Sequence, residues 1–495
     1  MTTQIDHALI ERVVGKFFRY AMLSHTWEGD EPLYKKVVKI VVYDLEASPT
    51  HSKLQMFCKI VRDEGFRWAW SDTCCIDRGN HFVLQEALVR MFKWYEGSAM
   101  TIIFLYDVDQ LAELGALMMS RWNSRGWTLQ EYHASKAVRI YTRDWTPYLG
   151  LTIYNHKESP QIISEMEKAT GISARSLIAL RPGLNDIREK LRLASTRQTT
   201  RVEDAAYSLL GIFSMTLPVT YGEEDKALGR LLSQILTSSG DASVLAWTGR
   251  PGSFNSCLPT DIAVFSQPLS SHIPPAIADA EMETVTARLR ASPLDVNLAT
   301  RLYDRMHELP TPTFAGQRMR LPCLVFKIKL VSRCQDGSQY VFGAQAGAIR
   351  AVEIKTKKKL TRLGSLYLVH PWTGFLLDRH AAGSVVGMAA GEDESPWLGN
   401  FPFTESSSTL NAHGLHSASL SSFLTAPTTD AEMCVYEFLT RLRQPFGALL
   451  LTSNPRNTAE YRRVAAESMI TVQVEEITSA VLNELIQSVR VLDVL

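Results

Sequence analysis

The stretch TIIFLY, residues 101–106, is a continuous apolar run of the length of one strand, and it decides the fold class. A run without polar alternation is typical of a strand that is covered on both faces, as in a parallel sheet. Comparable short runs flank it, namely YAMLSH (20–25), RWAWSD (67–72) and AVRIYT (137–142). The sequence therefore predicts four buried strands within the first 150 residues.

Amphipathic helices separate these predicted strands. In HSKLQMFCKIVRDEG (51–65), Leu54, Phe57 and Val61 recur at helical spacing, and the terminal glycine is placed to end the helix. The segment after Asn80 repeats the pattern up to Gly97. Strands that alternate with helices imply crossover connections and a parallel, doubly wound sheet. We therefore expect an α/β fold, in which a parallel sheet is flanked by helices.

This topology predicts the position of a ligand site. In open α/β sheets, ligands bind beyond the carboxyl ends of the strands. The segment SHTWEGDE leaves the first predicted strand and DTCCIDRGN leaves the second, and both are rich in polar and aromatic residues. We expect the strand ends at Ser24, Asp72 and Tyr106 to share one edge of the sheet, with Glu131 within reach.

The stretch SRGWTLQEYHASK (124–136) predicts the start of a helix that carries an acid. Because residues four apart stack on a helix, we expect the Trp127 ring to lie beside the Glu131 carboxylate at the rim of the sheet. An aromatic neighbour desolvates an acid and offers a flat surface to a heterocycle, and Arg125 adds a cation that is able to hold a phosphate or pair with an acid. The pattern alone leaves open the alternative of a surface helix with an incidental acid.

Other chemistry has less support in the sequence. Neighbouring side chains of an extended chain point to opposite faces, which disfavours a metal held by both Cys74 and Cys75. Asp72 and Asp77 oppose ionisation of these thiols. We predict that His25 is a hydrogen-bonded rim residue rather than a general base. The patterns GxxxxGK[ST], GxGxxG, HExxH and GxSxG are absent, so the enzyme classes that they mark have no motif support.

Composition excludes several classes of partner. The chain of 495 residues carries 52 Lys plus Arg and 52 Asp plus Glu, so no global field recruits nucleic acid or an anionic membrane surface. No apolar run approaches the roughly 18 residues that a membrane span needs. Seven cysteines without framework spacing favour a reducing, cytoplasmic location.

The length predicts two or three domains. A core over about 1–150 is followed by a helical extension over about 151–250, and the Pro/Ser/Gly-rich stretch GRPGSFNSCLP (249–259) indicates a boundary. We expect a linker or irregular region over 251–320 and a β-rich domain over 321–495, with a flexible loop at 404–422.

Three segments resemble a known family. YAMLSHTW, WSDTCCIDRGN and SRWNSRGWTLQE are similar, in order and wording, to the signature blocks of the fungal heterokaryon-incompatibility (HET) domain. YTRDW (141–145) and RQTTRVEDAAYSLLGIF (197–213) continue a likeness that covers roughly the first 250 residues. The sequence departs from the family at the first block, where Glu28 precedes Gly29 and Pro32-Leu33 replaces the usual continuation.

The HET domain is in turn similar to the Toll/interleukin-1 receptor (TIR) domain, and this likeness implies a TIR/flavodoxin-like fold for the parallel sheet. Several TIR domains cleave NAD at the nicotinamide bond. The resemblance implies that Glu131 is the catalytic acid and that the loop Asp77–Asn80 gates the site and joins neighbours. It also implies a set of substrate-binding residues: Ser24, His25, Trp27, Asp72, Cys75, Asp77, Arg78, Arg125 and Trp127. It implies no metal and no cofactor, with NAD as substrate.

The resemblance implies a cell-death effector of allorecognition and innate immunity, which hydrolyses NAD when it is assembled. Its expected partners are NAD or a related nucleotide, further copies of itself or an upstream sensor protein, and neither nucleic acid nor a membrane. Two alternatives remain at this point. The same rim could serve a non-enzymatic interaction or nucleotide-binding module, or the chain could be a scaffold in which the β-rich domain performs recognition.

Overall fold

A computed structural model describes residues 14–15, 17–267, 295–360, 365–372, 429–455, 457–474 and 476–495. The chain divides into two compact units, Met1–Ser239 with Ser243–Leu269 and Gly240–Ala242 with Ser270–Leu495. The loop predicted at 404–422 lies outside the described residues.

Four parallel strands form the centre of the first unit, in the order β2-β1-β3-β4. They span Tyr20–His25 (β1), Trp68–Trp70 (β2), Met100–Phe104 (β3) and Val138–Tyr141 (β4). Strand β1 pairs with both β2 and β3, so the sheet is extended in opposite directions from it, and a ligand crevice is expected at its carboxyl end. The predicted α/β fold with a parallel sheet is confirmed.

Helices flank the sheet and extend the first unit beyond it. In chain order they are α1 Tyr34–Val37, α2 Pro49–Asp63, α3 His81–Gly97, α4 Ala116–Met119, α5 Arg121–Ser124, α6 Gly126–Ala134, α7 Pro160–Thr170, α8 Ala174–Ala179, α9 Ile187–Ser195, α10 Asp204–Tyr207 and α11 Lys226–Ser239. The sequence explains the ends of α2 and α3. Gly65 follows α2 with a φ of 81°, and the Asn80 side chain caps the first turn of α3 by accepting from the Phe82 amide at 3.1 Å.

Strand β3 is buried on both faces, as the run at 101–106 predicts. Ile102 belongs to one apolar cluster, with Leu54 and Phe57 of α2, whereas Ile103 belongs to another, with Trp122. Alternate side chains of a strand point to opposite faces, so both faces are covered by apolar packing. Burial on both sides accounts for the lack of polar alternation in this strand.

The helical extension packs against the α/β core. Ala206, Leu209, Leu210 and Phe213 are at most 2% exposed, although the helix here is only the single turn of α10, followed by further turns. A Cβ on Gly211 would lie 2.2 Å from Cβ of Phe92 in α3. This close approach requires glycine and belongs to a packed interface, not to a linker.

The stretch 249–259 differs from its prediction as a boundary. Trp247 donates from Nε1 to the Cys257 carbonyl at 2.9 Å, and Cys257 and Leu258 are fully buried in the first unit. Proline and glycine here form turns that pack on the first unit. A linker has the same composition, so composition alone does not distinguish the two. The predicted irregular region 251–320 also contains the helix α12, Val296–His307.

The second unit is β-rich, as the sequence predicts. Its remaining elements are β5 Thr313–Ala315, β6 Arg318–Lys327, β7 Lys329–Asp336, β8 Gln339–Ala346, β9 Ile349–Thr356, β10 Leu366–Pro371, α13 Thr429–Arg443, β11 Phe446–Asn454, β12 Asn457–Arg463, β13 Ile470–Val472, α14 Ser479–Ser488 and β14 Val489–Val494. One mixed sheet follows the order β10-β11-β12-β14-β6-β5 with β13 on β11, and β7-β8-β9 form a second, antiparallel sheet. Among the described residues, no helix of either unit has the length and apolar character needed to cross a membrane.

Candidate functional site

A cavity of about 740 Å³ opens in the first unit, beyond the carboxyl ends of β1 and β2. This volume lies within the range of small-molecule sites. The lining combines aromatic, cationic and acidic side chains with a few apolar ones from α3. The lining residues are His25, Thr26, Trp27, Asp72, Arg78, Leu84, Leu88, Met91, Arg121, Ser124, Arg125, Gly126, Trp127, Glu131, Gln198, Thr199, Thr200, Arg201, Asp204 and Tyr221.

Most of the residues implied by the resemblance meet at this cavity. Those that line it are His25, Trp27, Asp72, Arg78, Arg125, Trp127 and Glu131. Ser24 does not line it but hydrogen-bonds to Glu131. Two others do not line it: the Cys75 thiol accepts from the Ser71 amide at 3.4 Å, and the Asp77 carboxylate accepts from the Gly79 amide at 3.0 Å. Tyr106, expected at a strand end on this edge, is exposed and lies two residues beyond the end of β3.

Glu131, which was expected at the rim of the sheet, is buried. Its exposure is 7%, and the Ser24 hydroxyl donates to Oε2 at 2.5 Å. The Trp122 indole donates to the same hydroxyl at 2.8 Å. An indole N–H only donates, so Ser24 must accept from it and direct its own proton to Glu131. This relay fixes the carboxyl group at the end of β1.

Burial raises the pKa of Glu131 to about 8, and the negative charge of Asp72 adds to the shift. The hydrogen bond from Ser24 and the positive charge of Arg125 oppose it. Tyr95 also contacts the carboxyl group, where it lowers the pKa of Glu131, and its hydroxyl donates to the Leu23 carbonyl at 2.8 Å. With a pKa of about 8, Glu131 is mainly protonated at neutral pH.

Asp72 is the second acid of the cavity and has the opposite character. It accepts from the His25 Nε2 at 3.0 Å and from the Trp27 indole at 2.9 Å, and it pairs with Arg78 at 3.6 Å. Burial raises its pKa, but the hydrogen bond and charge of His25, the charge of Arg78 and the indole hydrogen bond outweigh burial, and the net pKa is lowered. Asp72 therefore remains a carboxylate, and it holds the two rings of the first block in place.

His25 is hydrogen-bonded, as predicted, but buried at 5% exposure. Its Nδ1 has no hydrogen-bond partner within the described part of the chain. The Arg78 guanidinium lies over the Trp27 ring at 4.0 Å from the ring centre, so this aromatic surface is covered by a cation.

Glu28, the residue that departs from the family pattern, has two side-chain partners. Glu28 pairs with Arg121 at 3.2 Å and accepts from the Thr26 hydroxyl at 2.9 Å. The backbone of the same loop is also held by a buried ion pair. The Glu28 amide donates to the Glu31 carboxylate at 2.8 Å, and Glu31 pairs with the buried Lys53 at 2.5 Å. The loop geometry is therefore determined by paired charges on both sides.

The helical extension supplies the part of the cavity that the sequence prediction missed. Gln198, Thr199, Thr200, Arg201, Asp204 and Tyr221 all line it. The Gly126 amide donates to the Gln198 carbonyl at 2.9 Å, and the Gln198 amide donates to the Ser124 carbonyl at 2.6 Å, so the extension is joined to the start of α6. The one sequence signal for these lining residues was the polar run RQTTR (197–201), which stands directly before a buried segment.

Trp127 has a different partner from the one expected. Its indole donates to Asp204, which also accepts from the Tyr221 hydroxyl at 2.9 Å. Burial raises the pKa of Asp204, and these two hydrogen bonds reduce the rise. Trp127 and Glu131 both line the cavity, but the polar edge of Trp127 faces the extension.

The vicinal cysteines also differ from expectation. Residues 72–76 form a turn rather than extended chain, and the Sγ atoms of Cys74 and Cys75 lie 3.9 Å apart instead of on opposite faces. Within the described residues, no group of three or more His, Cys, Asp or Glu side chains is arranged to hold a metal ion.

Comparison with known proteins finds a family match over the part of the first unit that carries the first three strands. Residues 20–118, which include β1, β2 and β3, match the family model of the heterokaryon incompatibility protein (HET). The chain contains a HET domain. Over 241 residues it is 36% identical to the vegetative incompatibility protein HET-E-1 of Podospora anserina, an alignment that covers 46% of this chain and 17% of that protein. No solved structure gives a significant match. The extent of the HET domain beyond residue 118 stays a prediction.

Proposed function

We propose that the HET-domain unit hydrolyses NAD at the bond between nicotinamide and ribose, and that the chain acts in heterokaryon incompatibility and the cell death linked to it. The family match and the similarity to a vegetative incompatibility protein support the biological role. The observation that carries the chemical proposal is the Glu131 carboxyl group, which lines a cavity of suitable size and is aligned by Ser24.

One acid suffices for this reaction. The bond between C1′ of the ribose and N1 of nicotinamide breaks, and its electron pair leaves with nicotinamide, which departs as a neutral molecule without protonation. The ribose develops oxocarbenium character, and water then adds to C1′ and releases a proton to solvent. A carboxylate that faces this developing charge lowers the barrier electrostatically. Two carboxylates, as in ordinary glycoside cleavage, are not required.

Glu131 must lose its proton to act in this way. Its pKa of about 8 is raised first by burial, so a ligand that places positive charge beside it favours the carboxylate. The nicotinamide ring of NAD is such a cation. Binding of NAD is therefore expected to release a proton from Glu131, whereas nicotinamide-free nucleotides are not expected to do so.

The same observation favours a second candidate. A mainly protonated acid is a hydrogen-bond donor, and such a group recognises ribose hydroxyls without any reaction. In this reading the HET domain binds a nucleotide as a signalling module and does not turn it over. The two candidates differ in the protonation state of Glu131 with ligand bound and in turnover.

The deciding experiment measures free nicotinamide released from NAD by the purified full chain, with and without forced clustering of the protein. We expect Glu131→Gln to lower the rate by about 100-fold or more, since it removes charge but keeps shape. Glu113→Gln, on an exposed acid outside the cavity, is the matched control and is expected to be unchanged. Equal rates for Glu131→Gln and the wild type would exclude the proposed role of Glu131. No turnover by the clustered wild type would favour the binding module.

A further inference from the structure

We infer that Arg125 and Arg201 form a diphosphate-binding subsite, which the helical extension completes within a single chain. The ligand class is a nucleoside diphosphate with its phosphates between the two guanidinium groups. This inference rests on the proposed function for its relation to NAD, but it concerns binding and is measured without turnover.

The charge balance of the cavity supports this subsite. Arg78 is paired with Asp72, and Arg121 is paired with Glu28. Arg125 and Arg201 line the same cavity, and neither makes a salt bridge within the described part of the chain. Arg201 acts on the acids Glu203 and Asp204 only at a distance, through their pKa values. Two guanidinium groups without a carboxylate partner attract an anion.

The two arginines are held by one backbone junction. Arg125 and Gln198 form a parallel bridge, and Arg201 follows three residues later. The Thr199 hydroxyl donates to the Arg201 carbonyl at 2.7 Å and closes the turn from Thr199 to Arg201. The half-buried Arg197 donates to the Arg125 carbonyl at 3.0 Å and to the Thr128 hydroxyl at 2.9 Å. Both backbones are therefore fixed before any ligand binds.

The side chains also face a common space. Besides burial and Asp72, the electrostatic influences on the pKa of Arg78 include Tyr221 and Arg125, so these two groups lie around the same guanidinium. Arg201 in turn lies over the Tyr221 ring, at 4.1 Å from its centre. The stacking holds Arg201 on the cavity wall without using its hydrogen-bond donors.

The local chemistry fits a diphosphate. Guanidinium groups bind phosphate oxygens in a bidentate manner, and two of them match a diphosphate. Thr200 lines the same cavity and adds a hydroxyl group, whereas the Ser124 hydroxyl already donates to the Arg121 carbonyl at 2.8 Å. The nine-residue helix α6 begins at Gly126, directly after Arg125, and its N-terminal dipole favours the same negative charge.

The test is calorimetric titration of the full chain with ADP-ribose, which carries the diphosphate but lacks the bond to nicotinamide. Arg125→Gln and Arg201→Gln are each expected to weaken ADP-ribose binding by about 10-fold or more, since each removes charge-assisted hydrogen bonds. Adenosine, which has no phosphate, is expected to bind all variants within about 2-fold of wild type, and added salt is expected to weaken only ADP-ribose binding.

The exposed Arg175 of α8 is the matched control, and Arg175→Gln is expected to bind ADP-ribose as the wild type does. Because Arg201 is exposed, its substitution leaves the core intact and remains informative if Arg125→Gln misfolds. Unchanged ADP-ribose affinity in Arg201→Gln, equal loss in Arg175→Gln, or no binding by wild type would overturn the subsite. Arginine-dependent ADP-ribose binding without any NAD turnover would support the subsite and contradict hydrolysis. NAD turnover with an unchanged KM in Arg201→Gln would support hydrolysis and contradict the subsite.

Discussion

Ser24 donates a hydrogen bond of 2.5 Å to Glu131 and so joins the end of β1 to helix α6, 107 residues further along the chain. Ser24 is itself bound by the Trp122 indole, so three residues from two separate sequence blocks act as one unit. The unit places a single acid against the cavity and determines which proton that acid receives.

Ser24→Ala is expected to shift the pH dependence of NAD hydrolysis. The substitution removes a hydrogen bond that lowers the pKa of Glu131, so the carboxylate should form only at higher pH. We expect the rate at neutral pH to fall and to recover partly as the pH is raised. The measurement is a rate profile from about pH 6 to about pH 9, a window that brackets the Glu131 pKa.

The control for this profile is Ser24→Thr, which keeps the hydroxyl donor and is expected to retain the wild-type midpoint. Ser24→Ala also leaves the buried Trp122 indole without an acceptor, which costs about 1–3 kcal/mol of unfolding free energy. A Ser24→Ala profile that coincides with the wild-type profile would show that the hydrogen bond does not control Glu131.

Glu131 is expected to make stability depend on pH near neutrality. Its pKa is about 8 in the folded chain against an ordinary value of 4.5, so the folded state binds more protons than the unfolded state between these values. The free energy of unfolding should therefore fall as pH rises through this window. Burial lowers the pKa of His133 to about 3 and of His156 to about 4, so their opposite effect is complete above about pH 6.5. Lys157 and Lys190, each lowered by burial to about 8, act above that value.

The measurement compares thermal unfolding midpoints of the wild type and Glu131→Gln at several values between about pH 6.5 and about pH 8, where the acid titrates. We expect the unfolding midpoint of the variant to rise relative to that of the wild type as the pH rises, because glutamine has no proton to lose. Parallel curves for the two proteins would mean that the acid titrates at its ordinary pKa.

We expect the contact between Gly126 and the extension to require glycine at this position. A Cβ at this position would lie 2.5 Å from Cγ2 of Thr199, although alanine is otherwise favourable in a helix. Gly126→Ala should therefore destabilise the first unit by about 1–3 kcal/mol, the usual cost of an overpacked contact, and should weaken ADP-ribose binding.

Thr199→Ser provides the rescue, because serine lacks Cγ2 but keeps the hydroxyl that donates to the Arg201 carbonyl. We expect the double variant Gly126→Ala/Thr199→Ser to recover most of the lost stability in chemical denaturation. If the second substitution adds to the damage instead, the clash with Thr199 is not the cause.

Trp127→Phe separates the ring from its hydrogen bond. The ring surface at the cavity is largely kept, whereas Asp204 loses the indole donor that lowers its pKa. We expect the variant to fold, with a thermal midpoint a few degrees lower, and to show a raised Asp204 pKa in a carboxyl titration by NMR. Tyr221→Phe removes the other donor to Asp204 and should have a similar effect, whereas a Trp127→Phe titration identical to wild type would argue against the contact.

Much of the fold follows from local sequence patterns. The run at 20–25 matches β1 residue for residue, and Gly65 and Asn80 stand at helix ends where their conformational preferences place them. These features depend on neighbours in the chain, and so periodicity and capping chemistry were enough. The convergence of Asp72 and Glu131 on one cavity was also predictable, because parallel strands bring their carboxyl ends to one edge.

Tertiary structure alone decided the state and the surroundings of these residues. Glu131 was expected at the rim of the sheet beside Trp127, but it is buried, and burial raises its pKa although the hydrogen bonds with Ser24 and Tyr95 lower it. No local pattern encodes burial of a polar side chain, since it depends on what packs over it. The same holds for Arg201 and Tyr221, which reach the cavity because the extension is bonded to the start of α6 through Gln198. The sequence by itself determined which elements form and which edge of the sheet carries the site. Only long-range packing decided which charges remain unpaired there and which acid holds its proton.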